Sequence, residues 1–251
     1  MEMQIAAKSG KIACSNCPLR SNSHFREFTA EELSFISSFK TGELTVNQGA
    51  TLLMEGARST HLYTILSGWA FRSKVLEDGR RQILNYALPG DLLGLQGSLL
   101  GEMQHTVEAL TPLTVCVFDR KRLGEIWERF GSLAFDITWM SAREERILDE
   151  HLLSIGRRSA SERAAYLLAY LQQRLDRLQN LTKADTALPL TQTHVADTLG
   201  LSLVHTNKTL RKLAQGGLIR WMDSRCEVLD IEGLCKVAGW SNVTPVSRPF
   251  L

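Results

Sequence analysis

The sequence predicts an α+β chain: a small antiparallel β-roll of the jelly-roll type, then a long helix, then a C-terminal winged helix-turn-helix. Three observations carry this. Between residues 43 and 119, short apolar-rich runs recur with glycines between them, the pattern of a small β-barrel or jelly roll. From Arg120 to about Ile155 the apolar spacing changes to threes and fours, the period of a helix. Leu190 to Trp221, LTQTHVADTLGLSLVHTNKTLRKLAQGGLIRW, reads as helix, tight turn, helix and strand.

Composition sets the frame. The 251 residues suffice for two domains, and 44% hydrophobic with 22% charged residues is ordinary for a globular chain. No apolar run approaches the ~18–20 residues of a membrane span. The first residues, MEMQIAAKSGKIAC, lack the apolar stretch of a signal peptide. The expected location is the cytoplasm, with no membrane partner. Disulfides are rare there, so the five cysteines read as free thiols, metal ligands or redox groups. Charge is uneven: residues 157–251 hold 13 Lys+Arg against 8 Asp+Glu, net +5, while residues 1–156 hold 16 against 19, net −3. Cations thus gather in the part that holds the helix pair, as a mild electrostatic footprint of nucleic-acid binding.

Residues 1–27 form an extension containing Cys14-Ser-Asn-Cys17. A CxxC in a cytosolic chain is a metal or redox candidate; two surface thiols in a flexible arm are the bland alternative. Residues 28–130 form the roll. Thr29 caps a short helix to about Phe39. Strands are expected at Glu43–Val46, Thr51–Met54, His61–Ser67, Trp69–Leu76, Arg81–Ala87, Asp91–Leu95, His105–Ala109 and Leu113–Asp119, with Glu77-Asp78-Gly79-Arg80 as a hairpin turn. Residues 131–156 form the long helix. Its apolar positions Leu133, Ile137, Met140, Ile147, Leu148, Leu152 and Ile155 suit a dimer seam, or else a helix packed on its own roll. Gly156-Arg-Arg-Ser159 is the expected hinge, and Ser159 or Ser161 caps a helix with Ala164, Leu167, Leu168, Leu171, Leu175 and Leu178 as its buried stripe. Asn180–Ala187 reads as a loop. Residues 157–236 form the last domain, and residues 237–251, with their turn formers and two prolines, a loosely ordered tail.

Within that domain, Thr191 caps a first helix over Gln192–Leu199, and Gly200 ends it with a left-handed residue. Ser202 caps a second helix to about Gln215, stopped by Gly216-Gly217. Leu218–Trp221 and Cys226–Leu229 form a hairpin where a wing would sit. The second helix offers His205, Asn207, Lys208, Arg211 and Lys212, the side-chain types that reach base edges and phosphates. The expected DNA-contact set is Thr191, Ser202, His205, Asn207, Lys208, Arg211 and Lys212. An αα-hairpin with a solvated polar face is the bland alternative.

This order of parts resembles the Crp/Fnr family of transcription regulators over about residues 28–236, closer to its Fnr-type branch than to the cyclic-AMP receptor proteins. The stretches LLMEGARSTHLYTILSGWAFRSKVLEDGRRQILNYALPGDLLGL, GRRSASERAAYLLAYL and LTQTHVADTLGLSLVHTNKTLRKLAQGGLI carry the likeness. The resemblance implies a cyclic-nucleotide-binding-like roll, a homodimer through the 131–156 helix, a palindromic double-stranded DNA site and RNA polymerase as a partner. Cyclic-nucleotide members carry an Arg-Ser or Arg-Thr pair where this chain reads Gly101-Glu-Met-Gln-His105-Thr106, and no arginine lies between Arg81 and Arg120. A cyclic phosphate needs a fixed cation or a nest of amides, so cyclic nucleotide is not the expected ligand.

Fnr-type members hold a [4Fe–4S] cluster on three N-terminal cysteines and a distant fourth. Cys14, Cys17 and Cys116 resemble three of those ligands, and Ser23 stands where the remaining one would fall. Three readings stay open: a cluster completed by His24 or an outside ligand, a thiol redox switch or other metal site, or no role. Cys226 and Cys235 read as structural residues of the wing region. Common members also place Glu and Arg where Val204 and Lys208 stand. Without that glutamate an acceptor for a cytosine amino group is lost, and a different half-site is expected.

The function expected is therefore a dimeric DNA-binding regulator whose roll senses a redox, oxygen or small-molecule signal. The alternative is a cyclic-nucleotide- or small-ligand-binding sensor that acts through protein contacts rather than DNA. An enzyme is not expected: no βαβ pattern surrounds the CxxC, and no catalytic constellation stands in a recognisable context.

Overall fold

Glycines and caps set the element ends in a computed structural model that describes residues 12–178, 186–241 and 248–251. The expected loop over Asn180–Ala187 lies almost wholly outside the described residues. The chain divides into two units. One is drawn from Met1–Lys74, Tyr86–Glu144 and Val246–Leu251, the other from Val75–Asn85 and Glu145–Pro245. Among the described residues no helix is long and apolar enough to cross a membrane.

The first unit is the β-roll. Helix α1 (Ala30–Phe39) starts at a capping box in which the Thr29 hydroxyl accepts from the Glu32 N–H and the Glu32 carboxylate accepts from the Thr29 N–H. Eight strands follow in the chain, with residues 81–85 of the fifth counted in the second unit: β1 (Lys40–Val46), β2 (Thr51–Leu53), β3 (His61–Ser67), β4 (Ala70–Val75), β5 (Arg81–Ala87), β6 (Leu92–Leu93), β7 (Thr106–Ala109) and β8 (Leu113–Asp119). They make two four-stranded sheets, ordered β1-β8-β3-β6 and β2-β7-β4-β5. The inward side chains of both sheets, among them Val46, Leu53, Ile65, Val107, Leu113 and Val115, form one core. At Gly68, φ is +84° and an added Cβ would lie 2.2 Å from the Pro112 carbonyl oxygen, so only glycine fits that turn.

Two elements here were not foreseen. Helix α2 (Leu95–Leu100) lies between the left-handed Gly94 and Gly101, where a strand was expected to end. The expected long helix is preceded by a separate short one, α3 (Gly124–Arg129), before α4 (Gly131–Arg157).

The termini of this unit are packed. Residues Cys14–Asn16 and Pro18–Ser21 form two 3-10 turns rather than a flexible arm. The loosely ordered tail needs correction over residues 248–251: the Arg248 N–H donates to His24 O at 2.8 Å, and Phe250 packs on Phe25 and Phe28. Arg26 joins the start of α1 to α4 through its ion pairs with Glu32 and Asp136. Burial works against the Glu32 charge, but hydrogen bonds from Arg26, Ser132 and Thr29 hold its pKa down at about 2.

The second unit holds the C-terminal half of α4 and a helical domain. Helix α5 (Ala160–Asp176) starts at a Ser159–Glu162 capping box. Helices α6 (Gln192–Leu199) and α7 (Leu203–Gln215) follow, then the two-stranded wing β9 (Ile219–Met222) and β10 (Arg225–Val228), and α8 (Ile231–Ala238). Cys226 pairs through its backbone with Leu188 in both directions, at 2.8 and 2.9 Å, and is fully buried. Cys235 does not lie in the wing, as expected; it sits half-buried on α8 within reach of Gln173.

Along α4 the expected apolar stripe divides. Leu133, Ile137, Met140 and Ile147 are buried within this chain, whereas Leu148, Leu152 and Ile155 are exposed. The exposed members and neighbouring Leu153 leave the C-terminal half of α4 with apolar side chains at its surface.

Candidate nucleic-acid interface

Thr191 opens the helix pair. Its hydroxyl accepts from the His194 N–H at 3.1 Å, and its own N–H donates to His194 Nδ1 at 3.2 Å. The 8 residues of α6 end at Gly200 with φ of 64°, so the chain turns without steric cost. Val195 and Leu199 from α6 meet Leu210 and Leu213 from α7 as buried apolar side chains. Ser202 then caps α7, its hydroxyl accepting from the His205 N–H at 3.3 Å.

The faces of α7 separate cleanly. Thr206, Thr209, Leu210 and Leu213 point inward, while His205, Lys208, Arg211 and Lys212 are exposed. Those four lie at spacings of three and four, hence on one side of the helix. Val204, in the first turn, is 82% exposed. A large apolar side chain held in water at the start of such a helix can meet the methyl group of thymine.

The expected contact residues are thus not equivalent. His205, Lys208, Arg211 and Lys212 have side chains free to reach outward. Thr191 is half-buried and engaged in its cap, and Ser202 is exposed but also spends its oxygen on a cap. Asn207 is half-buried, and its Oδ1 has no hydrogen-bond partner among the described residues. It lines a cleft of about 650 Å³ together with Gln192, Arg211, Arg220 and Trp221. Gln192, Arg220 and Trp221 were missed by the sequence reading; the cation and the aromatic on β9 were the available signal.

The cysteines lie elsewhere, in the first unit. Cys14 and Cys17 are half-buried, Cys116 is buried on β8, and all three line one cavity with Phe28, Phe250 and Leu251. Burial pushes the Cys116 thiol up to about 12 and raises Cys17 as well. The cavity measures about 20 Å³, room for about one water. Among the described residues no three His, Cys, Asp or Glu side chains are placed to hold one metal ion. His24 does not line the cavity. A four-iron cluster needs four ligands and far more space, so the residues in this arrangement do not fit one.

Comparison with known proteins bears on both units. The cyclic nucleotide-binding domain family matches residues 43–130, and the Crp-like helix-turn-helix domain family matches residues 162–237. The chain is similar to the nitrogen fixation regulation protein FixK of Bradyrhizobium diazoefficiens, with 32% identity over 218 residues, 86% of this chain and 90% of the relative. It is similar to the transcriptional activator FnrL of Cereibacter sphaeroides, with 29% identity over 231 residues, 90% of this chain and 92% of the relative. Among solved structures, FixK2 of Bradyrhizobium japonicum shares the fold with a TM-score of 0.68 at 23% identity, over 80% of this chain and 98% of that one.

Proposed function

The chain belongs to the Crp/Fnr family of transcription regulators, and from that premise we propose that it binds a palindromic double-stranded site as a homodimer, with α7 in the major groove. The observation that carries this is the capped α7 with His205, Lys208, Arg211 and Lys212 exposed on one side. The N-terminal residues of a recognition helix contact base edges in the major groove. His205 and Lys208 are then readers, Val204 a thymine-methyl contact, Arg211 and Lys212 phosphate anchors, and Thr191 and Ser202 contacts at the helix starts. Asn207 reads from the cleft it shares with Arg220. Two copies joined along α4 present two such helices, about 34 Å apart for successive major grooves. The working place is the cytoplasm, with RNA polymerase as the protein partner, and no catalytic role is assigned.

Selection from random duplexes tests this. The expected product is a palindrome whose half-site differs from the usual family consensus, because Val204 stands where a glutamate commonly does. Recovery of the usual consensus, or no enrichment, overturns the assignment of readers.

A second reading concerns the signal. Cys14, Cys17 and Cys116 line one cavity, which favours a thiol switch over a cluster. A peroxide converts two thiols to a disulfide, taking two electrons and two protons and leaving as water. Burial keeps Cys17 and Cys116 protonated at neutral pH, so this oxidation is slow. Peptide mapping after peroxide treatment, alongside DNA affinity, checks it: a disulfide among these three with altered affinity is expected, and full oxidation with unchanged affinity refutes the switch.

A further inference from the structure

The second unit contains a cavity that DNA binding does not use. It is walled by the end of α4, by α5, by α6 and by residues 82–84 of β5, and its volume is about 170 Å³. Its lining is almost entirely apolar, with Ile83, Leu167 and Leu199 buried at its back and the ring of Tyr166 on one wall. An apolar cavity of about 150 Å³ holds one benzene ring, so this one has the capacity for a single-ring molecule.

One hydroxyl in it is unaccounted for. Ser154 is 4% exposed, and its Oγ has no hydrogen-bond partner among the described residues. Helical serines and threonines usually turn their hydroxyl back on the preceding turn. On the same helix Thr138 does so to Ala134 O at 2.9 Å, and Ser141 to Ile137 O at 3.0 Å. Ser154 does not. Three other polar side chains of the lining do have partners: Gln82 Nε2 donates to Thr198 O at 2.9 Å, Thr198 Oγ1 donates to His194 O at 2.7 Å, and His151 Nδ1 lies 2.9 Å from Leu84 O. A buried hydroxyl without a partner has lost its hydration with nothing in return, and a ligand oxygen placed there removes that cost.

We propose that this cavity is a binding site for a monocyclic aromatic alcohol of about the size of phenol, with its ring among the apolar walls beside Tyr166 and its hydroxyl on Ser154. Aromatic walls favour a ring in edge or offset contact, and Ser154 distinguishes a phenol from a plain arene. All of its lining comes from one chain, and Leu148, Leu152 and Ile155, which border it, also stand on the exposed apolar face of α4. Because α5 and α6 wall it, and α6 packs on α7, an occupant selects one placement of α6; that consequence rests on the regulator reading.

The full-length protein is titrated with phenol and with benzene, following the melting temperature and calorimetric binding in the absence of DNA. Phenol is expected to bind and to raise the melting temperature of the wild type. Ser154→Ala should weaken phenol about 3- to 10-fold, leave benzene unchanged, and raise the melting temperature of the unliganded protein by removing the orphaned hydroxyl. Leu84→Trp, changed at a half-buried position of the lining on β5, should block both probes. No binding by the wild type, equal phenol affinity in Ser154→Ala, or equal binding in Leu84→Trp each overturns the site. Saturating phenol should then change DNA affinity about fivefold or more. Phenol bound with DNA affinity unchanged overturns the coupling alone, and absence of DNA binding under all conditions refutes the regulator reading instead.

Discussion

Lys208 and His105 show how much one side chain can carry here. Lys208 is exposed on the second turn of α7 with no hydrogen bond or ion pair among the described residues. Lys208→Ala should cost about 1–3 kcal/mol of specific DNA affinity and relax discrimination at one base pair, if it reads a base. Uniform weakening across sequences, with a shallower salt dependence, would make it a phosphate contact. His105 is a different case. It is buried in the roll, and burial, followed by the nearby Arg72 cation, pulls its pKa down to about 4. Its folded pKa lies below the unfolded value of about 6.5. The unfolded chain therefore takes up a proton first as pH falls, and stability present above pH 6.5 is lost progressively down to about pH 4. The loss attributable to this residue is on the order of 3 kcal/mol. Urea midpoints of the wild type and His105→Gln at pH 7 and pH 5 check this: the variant should show the weaker pH dependence.

At the scale of elements, α6 and α7 were fully legible because their signals are local. A cap, an apolar period and a terminating glycine all lie within one or two turns, and Thr191, Gly200 and Ser202 perform those roles. Ser202→Ala removes the α7 cap and should lower stability by about 1 kcal/mol, read as a fall in melting temperature with the fold retained. Helix α8 was missed although Asp230 caps it and the left-handed Gly239 ends it. Those signals were present, but the helix follows directly on the wing. Helix α2 was missed for another reason: its LLGLQGSLL stretch has no polar cap and suits a strand equally well. Tertiary packing in the roll decides between them.

At the scale of the whole molecule, the question is which apolar surface belongs to this chain and which to a second copy. Leu152 is 72% exposed on α4, and Leu148 and Ile155 flank it by one turn on either side. Leu152→Glu leaves the core untouched and places a charge at the centre of that stripe. It should convert a dimer to a monomer in analytical ultracentrifugation and abolish binding to a full palindrome, while the circular dichroism spectrum stays that of the wild type. A dimer unaffected by the change would put the contact elsewhere.

The sequence by itself determined the order of the elements, most of the strand positions and, Asn207 apart, the polar residues exposed on α7, since each rests on periodicity, capping or turn chemistry within a short window. Tertiary structure alone decided the rest. It divided the α4 stripe into a buried and an exposed half, because a helical period marks an apolar face without saying what covers it. It brought Cys14 and Cys17 against Cys116, with Phe250 and Leu251 over the same cavity, a meeting of residues far apart in the chain that no local pattern encodes. It left Ser154 buried without a hydrogen-bond partner among the described residues, because the fate of a helical hydroxyl depends on the walls that long-range packing builds around it.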